Sequence, residues 1–258
     1  GYFDEQTFGK GYGEENDWCQ RAHKLGWKNY HQLNVFAYHK GGVSFQEEGD
    51  PRKARALELL NALHPNYTRD VMAFIGQDPA KLARMMAKIK FVVQSGLPVV
   101  LSVAHHLGGG VAQHVSELAT HYLGKAYFLR LTPGQQEGHV NLYLSALEDD
   151  KSDAFVFNIH TEYELLVAFL RELGVGRVHF HHVMGLSPRA WLLPSSLGVP
   201  YDVTIHDYYM INGNPTLTDS YGQFVSDERK EWDEVCRQAA QIGVSGEEWR
   251  NGVLPLLS

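Results

Sequence analysis

Apolar positions recur along this chain at two different periods. Trp18, Ala22 and Leu25 stand at helical spacing and are followed by Gly26, which predicts a short helix over 15–25 with a glycine stop. Residues 30–38 alternate apolar and polar loosely up to His39, a pattern that suits a strand running into the turn at Gly41-Gly42. Helices follow at 54–63, with Pro51 near the start, and at 80–93, introduced by Asp78-Pro79. From residue 98 the period shortens. The continuous apolar run at 98–104 reads as a buried parallel strand, and further strands are expected at 126–131, 140–144, 154–159, 177–181 and 201–206. Helices at 111–122, 163–173 and 188–197 separate them, so the alternation predicts an α/β domain around a doubly wound parallel sheet. A charged helix over 227–241 closes the pattern, and no internal repeat interrupts it.

Composition narrows the class. With 258 residues, 44% hydrophobic and 21% charged, the chain has the make-up of an ordinary globular protein. A net charge of -7 argues against nucleic acid as a partner, since that requires a surplus of Lys and Arg on one face. Cys19 and Cys236 are too few for a disulfide framework or a zinc site, so a reducing cytoplasm is the expected compartment. There is no apolar run of the roughly 18 residues that a transmembrane helix needs, and no secretory signal. The opening at Gly1 without an initiator Met, and the close on an apolar run at 253–257, lead us to expect a piece of a longer protein.

Two stretches carry candidate chemistry. In the first, Glu14, Glu15 and Asp17 cluster at a predicted helix N-terminus, where the helix dipole favours carboxylates. Read from spacing alone they are caps of a first turn, or a base kept ionised. The stretch Gly1-Tyr2-Phe3-Asp4-Glu5, then Gly11-Tyr12-Gly13-Glu14-Glu15-Asn16-Asp17-Trp18-Cys19, then Gly26-Trp27 and Tyr38-His39-Lys40-Gly41-Gly42, resembles the second half of the family 2 glycosyltransferases of GT-A fold. The resemblance implies Glu15 as the base that deprotonates an acceptor hydroxyl, with Asp17 beside it and Glu14 and Trp18 in donor or acceptor binding. It implies His39 as a ligand of the divalent metal, Mn or Mg, expected for an intact GT-A module. The nucleotide-binding half of that family, with its Asp-x-Asp motif, is absent.

The second stretch places His105-His106-Leu107-Gly108-Gly109-Gly110 between a strand and a helix, where glycines allow an anion to approach a helix N-terminus. The loop lacks the Gly-x-Gly-x-x-Gly spacing of a nicotinamide site, and a tight turn in a generic α/β domain is the plain alternative. Gly108 to Val115, then Val178-His179-Phe180-His181-His182-Val183-Met184-Gly185-Leu186, then 197–209 with His206-Asp207, resemble the N-terminal domain of the family 4 glycosyltransferases of GT-B fold. This implies Gly108, Gly109 and Gly110 facing a donor diphosphate and His181, His182, His206 and Asp207 at strand C-termini facing the cleft. His206 is then expected to act in catalysis, and no metal is expected in this module. By alternation His179 and His181 share a face, and at least one of them is expected to be structural.

The expected organisation is therefore a GT-A remnant over 1–49, a helical bridge over 50–96, the Rossmann-like N-terminal domain of GT-B over 97–232, and the start of an interdomain segment over 233–258. The expected function is part of a bifunctional, nucleotide-sugar-dependent bacterial glycosyltransferase of surface polysaccharide or lipopolysaccharide synthesis, inactive as this piece alone. Its expected partners are a nucleotide-sugar donor and a saccharide or lipid-linked saccharide acceptor at the inner face of the membrane, and a second copy of the chain could cover residues 1–49. The alternative is a non-catalytic carbohydrate-binding or scaffold domain. A sugar-nucleotide-modifying Rossmann enzyme is disfavoured by the missing glycine fingerprint and the lack of a Tyr-x-x-x-Lys pair.

Overall fold

The computed structural model describes residues 2–9, 12–33, 35, 37–38, 51–147, 153–224 and 251. The chain divides into two compact units, Gly1–Arg84 and Met85–Ser258.

The first unit is helical among its described residues: α1 (Glu5–Phe8), α2 (Glu14–Lys24), α3 (Pro51–Leu63), α4 (Tyr67–Gln77) and the start of α5 (Lys81–Gln94). Acidic Glu14, Glu15 and Asp17 open α2, and Arg21, His23 and Lys24 close it, each sign matching the helix dipole. Gly13 caps this helix at φ 94°, and a Cβ there would come within 2.7 Å of the Phe8 ring and 3.2 Å of Ala56 on α3. Only glycine permits both that backbone and that approach. The strand expected over 30–38 is not formed by the residues described there. Tyr30, Leu33, Val35 and Tyr38 are exposed, and among the described residues of this unit no strand offers a ladder to pair with. The helix α4, which was not among the expected elements, buries none of its residues.

The second unit is built on β1 (Val99–Val103), α6 (Gly109–His121), β2 (Tyr127–Pro133), β3 (His139–Tyr143), β4 (Phe155–Asn158), α7 (Tyr163–Glu172) and β5 (Val175–Phe180). A 3-10 turn at Pro188–Leu192, α8 (Leu193–Leu197), β6 (Tyr201–Val203) and α9 (Tyr209–Asn212) complete it. The six strands form one sheet in the order β4-β3-β2-β1-β5-β6. It is mixed, not wholly parallel: β3 pairs antiparallel with both β2 and β4. The physical reason is the join between β2 and β3, residues 134–138, which is too short for the crossover a parallel pair requires. There the N–H of Gly134 reaches the carbonyl of His139 at 2.7 Å and closes a hairpin.

Alternation along the strands sorts the core onto two faces. Val99, Leu101, Val103, Leu129, Leu131, Val178 and Phe180 pack with Leu166, Val167 and Leu170 of α7 and with Leu193 of α8. Val100 and Phe128 on the opposite face meet Val111, Val115 and Ala119 of α6. Each fully buried leucine contributes about 1.5–3 kcal/mol. The chain leaves β1 through α6 to β2 on one side, and β5 lies on the other side of β1. The C-terminal ends of β1 and β5 therefore flank the point where strand order reverses, the usual ligand crevice of an open α/β sheet. Among the described residues no helix is long and apolar enough to cross a membrane.

Candidate functional site

The side-chain contacts between the β5 and β6 segments share one offset, two residues diagonal to the strand register in which His179 faces Asp202. Arg177 Nη1 donates to Asp202 Oδ2 at 2.7 Å, His179 Nε2 lies 2.8 Å from Thr204 Oγ1, and His182 Nε2 lies 3.1 Å from Asp207 Oδ2, each pair separated by 25 positions. His181 and His206 stand at the same offset just beyond the strand ends, with ring centres 5.8 Å apart. Val178 and Phe180 fill the core on the far face, so residues 177, 179 and 181 must project toward the α6 face. The N–H groups of His181 and His182 both bond to the Val103 carbonyl, which ties this corner to the end of β1.

His114 reaches the same place from α6. Its ring centre lies 5.4 Å from that of His181 and 5.2 Å from that of His206, and ligand nitrogens of the three all fall within 4.8 Å of one another. His181 is 2% exposed, and neither its Nδ1 nor its Nε2 has a hydrogen-bond partner. The Nε2 of His206 is likewise buried without one. Each such unmade bond costs about 1–3 kcal/mol. Burial, reinforced by His179, His114 and His206, pushes the His181 pKa down to about 2. The pKa of His206 is lowered by burial, then by His114 and His182, against the pull of Asp207. His181 and His206 are thus biased toward the neutral imidazole.

The neighbouring His182 has both ring nitrogens engaged. His182 accepts the Met184 N–H at Nδ1, which leaves Nε2–H to donate to Asp207. Its ring meets that of His105 edge to face and that of Tyr209 at a tilt, each at 4.7 Å between centres. Asp207 also accepts the Tyr209 N–H at 2.9 Å through Oδ1. Burial and the Asp207 charge raise the Tyr209 phenol to about 12. His179 stacks on His181 at 3.9 Å, is held by Thr204, and has its pKa lowered chiefly by burial. His182 and His179 are thus tied to Asp207 and Thr204, whereas both nitrogens of His181 and Nε2 of His206 have no partner.

Gly108 and Gly109 have φ of 78° and 70°, and a Cβ at Gly108, Gly109 or Gly110 would meet nothing within 4 Å. Backbone conformation, not crowding, calls for glycine at the first two positions. Gly108 caps α6 without any side-chain bond to the helix N–H groups.

In the first unit, Asp17 is buried. Its Oδ1 accepts His64 Nε2 at 2.8 Å and its Oδ2 accepts Arg21 Nε at 2.7 Å, while Lys24 Nζ donates to His64 Nδ1 at 3.0 Å. Burial raises the Asp17 pKa, but the bonds from His64 and Arg21 outweigh it and hold the group below its ordinary value. Asp17 thus joins α2 to the end of α3 and turns away from solvent. Glu15 is exposed, Glu14 is half-buried, and Trp18 is 39% exposed beside Arg21, Ala22, Leu25, Trp27 and Lys28 around one concavity. His39 lies outside the described residues.

The structure brings together His181 and His206, and His182 and Asp207, on the second unit, while Gly109 and Gly110 open the helix that carries His114 to His181 and His206. The group that sequence reasoning missed is the triangle completed by His114. Its signal lay in the α6 pattern: His114 follows Val111 by three positions and precedes Val115, at the margin of the buried stripe, where a side chain turns toward the strand ends. Comparison with protein-family models, with curated proteins and with solved structures gives no match to this chain.

Proposed function

We propose that the chain is part of a nucleotide-sugar-dependent glycosyltransferase of surface polysaccharide or lipopolysaccharide synthesis. The second unit is the acceptor-side domain of a GT-B module, and residues 1–49 are the acceptor end of a GT-A module. One observation carries the reading. The His182–Asp207 pair and His206 follow the C-terminal ends of β5 and β6, where the His181 and His182 N–H groups bond to the Val103 carbonyl at the end of β1. In this reading Asp207, with one oxygen on His182 and the other on the Tyr209 N–H, presents a fixed carboxylate to acceptor hydroxyls. The α6 N-terminus faces the donor diphosphate held by a further domain. Glu15, exposed on the first turn of α2, is the base of the other transfer, oriented by a helix that Asp17 anchors. His39, the ligand expected for the divalent metal of an intact GT-A module, lies outside the described residues.

The test is sugar transfer by the intact protein that contains this chain. Supplied with uridine and guanosine diphosphate sugars and a lipid-linked acceptor, it should release nucleoside diphosphate in step with acceptor elongation. No release with any donor overturns the reading. Trp18 and Trp27, 39% and 71% exposed around one concavity with Arg21 and Lys28, favour a second reading as a non-catalytic carbohydrate-binding surface. Saccharide binding without turnover would select it.

A further inference from the structure

We propose that His114, His181 and His206 bind one divalent transition-metal ion of the zinc class. The inference does not rest on the reading as a glycosyltransferase. The donor set is three imidazoles with no carboxylate among them, which suits Zn²⁺ or Co²⁺ and not the oxygen-seeking Mg²⁺ or Ca²⁺. Nitrogens at about 2.0–2.1 Å from one tetrahedral zinc stand about 3.4 Å apart. Those of the triad already lie within 4.8 Å, and small rotations of the two half-buried rings, His114 and His206, close the remaining distance.

A second observation points to a ligand independently of that spacing. The buried nitrogens without partners, Nδ1 and Nε2 of His181 and Nε2 of His206, belong to this same group. Ser102 Oγ, fully buried on the same face of β1 and in register with His179, also lacks one. Three elements fix the triad: α6 carries His114, the end of β5 His181, and the segment after β6 His206. His179 lies against His181 at 3.9 Å and holds that ring in orientation, itself tied to Thr204. Three protein ligands leave a fourth position for water or an oxygen ligand, as in zinc sites that stay open. Because His181 is the buried corner, the open position lies on the side of His114 and His206.

The experiment uses the untagged chain, freed of metal by chelation and titrated with Zn²⁺ by calorimetry and with Co²⁺ by visible absorption. The expected result is one saturable site per chain, with the intense Co²⁺ absorption of four-coordination. His181 is buried, so the deciding variants are His114→Gln and His206→Gln, each checked for folding by circular dichroism without metal. Each should weaken binding by at least about tenfold. His121→Gln, on the exposed end of α6, should leave it unchanged. Absence of a saturable site in the parent chain overturns the proposal. So does binding that survives both deciding variants.

Discussion

His182 and Asp207 form a pair that passes from the core to the surface: the His182 side chain is 3% exposed, the Asp207 side chain is 31% exposed, and 3.1 Å separates Nε2 from Oδ2. The imidazole is bonded at both nitrogens, so its place is to hold the carboxylate, not to exchange protons. His182→Phe keeps the ring contact with Tyr209 and removes both bonds. It should cost about 1–3 kcal/mol in urea unfolding, the range for buried polar groups that lose their partner.

Asp17 contributes to the acid sensitivity of the first unit. Its pKa in the folded chain is lowered from the ordinary 3.8, so its contribution to stability is fully present above 3.8 and is lost as pH falls through the lower folded value. Unfolding of the first unit should therefore steepen below about pH 4, and Asp17→Asn should flatten that limb of the stability–pH curve. His64→Ala leaves the buried carboxylate with Arg21 alone and should cost about 3 kcal/mol at neutral pH, read by chemical denaturation.

The glycine loop separates two kinds of cost. Gly109→Ala meets no atom within 4 Å but must adopt a φ of 70°, and should destabilise by about 1–2 kcal/mol. Gly110→Ala has the same open surroundings without a positive φ and lies inside α6, so it should be neutral or stabilising by up to about 1 kcal/mol. Paired thermal melts decide. Equal losses at both positions would mean that crowding, not conformation, governs the loop.

In the core, Leu166 of α7 is fully buried against the sheet. Leu166→Ala should cost about 2–5 kcal/mol, measured by denaturant midpoint at unchanged slope.

The strands of the second unit were legible because short apolar runs of five to seven residues, such as Val99–Val103 and Tyr127–Pro133, are buried on both faces. Their direction was not. The runs at β2 and β3 look alike in hydropathy, and only the five-residue join 134–138 between them sets the hairpin. The helix α4 was legible too, since Tyr67, Val71, Phe74 and Ile75 stand at helical spacing, although Val71, Phe74 and Ile75 are exposed in the fold. His181, His182, His206 and Asp207 were expected at strand C-termini because the resemblance implies it and the strands read at 177–181 and 201–206 stop there. The convergence of His114 could not be read in this way, since it depends on how α6 crosses the sheet. Asp17 had the sequence context of a site residue, but its partner His64 stands 47 positions away.

The most direct measurement is product analysis of sugar transfer by the intact protein, comparing the parent with Glu15→Gln and His206→Ala. The account predicts that each variant abolishes a different one of two transfers and leaves the other at the parental rate. Both transfers persisting in both variants, or no transfer in the parent with any nucleotide sugar, would contradict it.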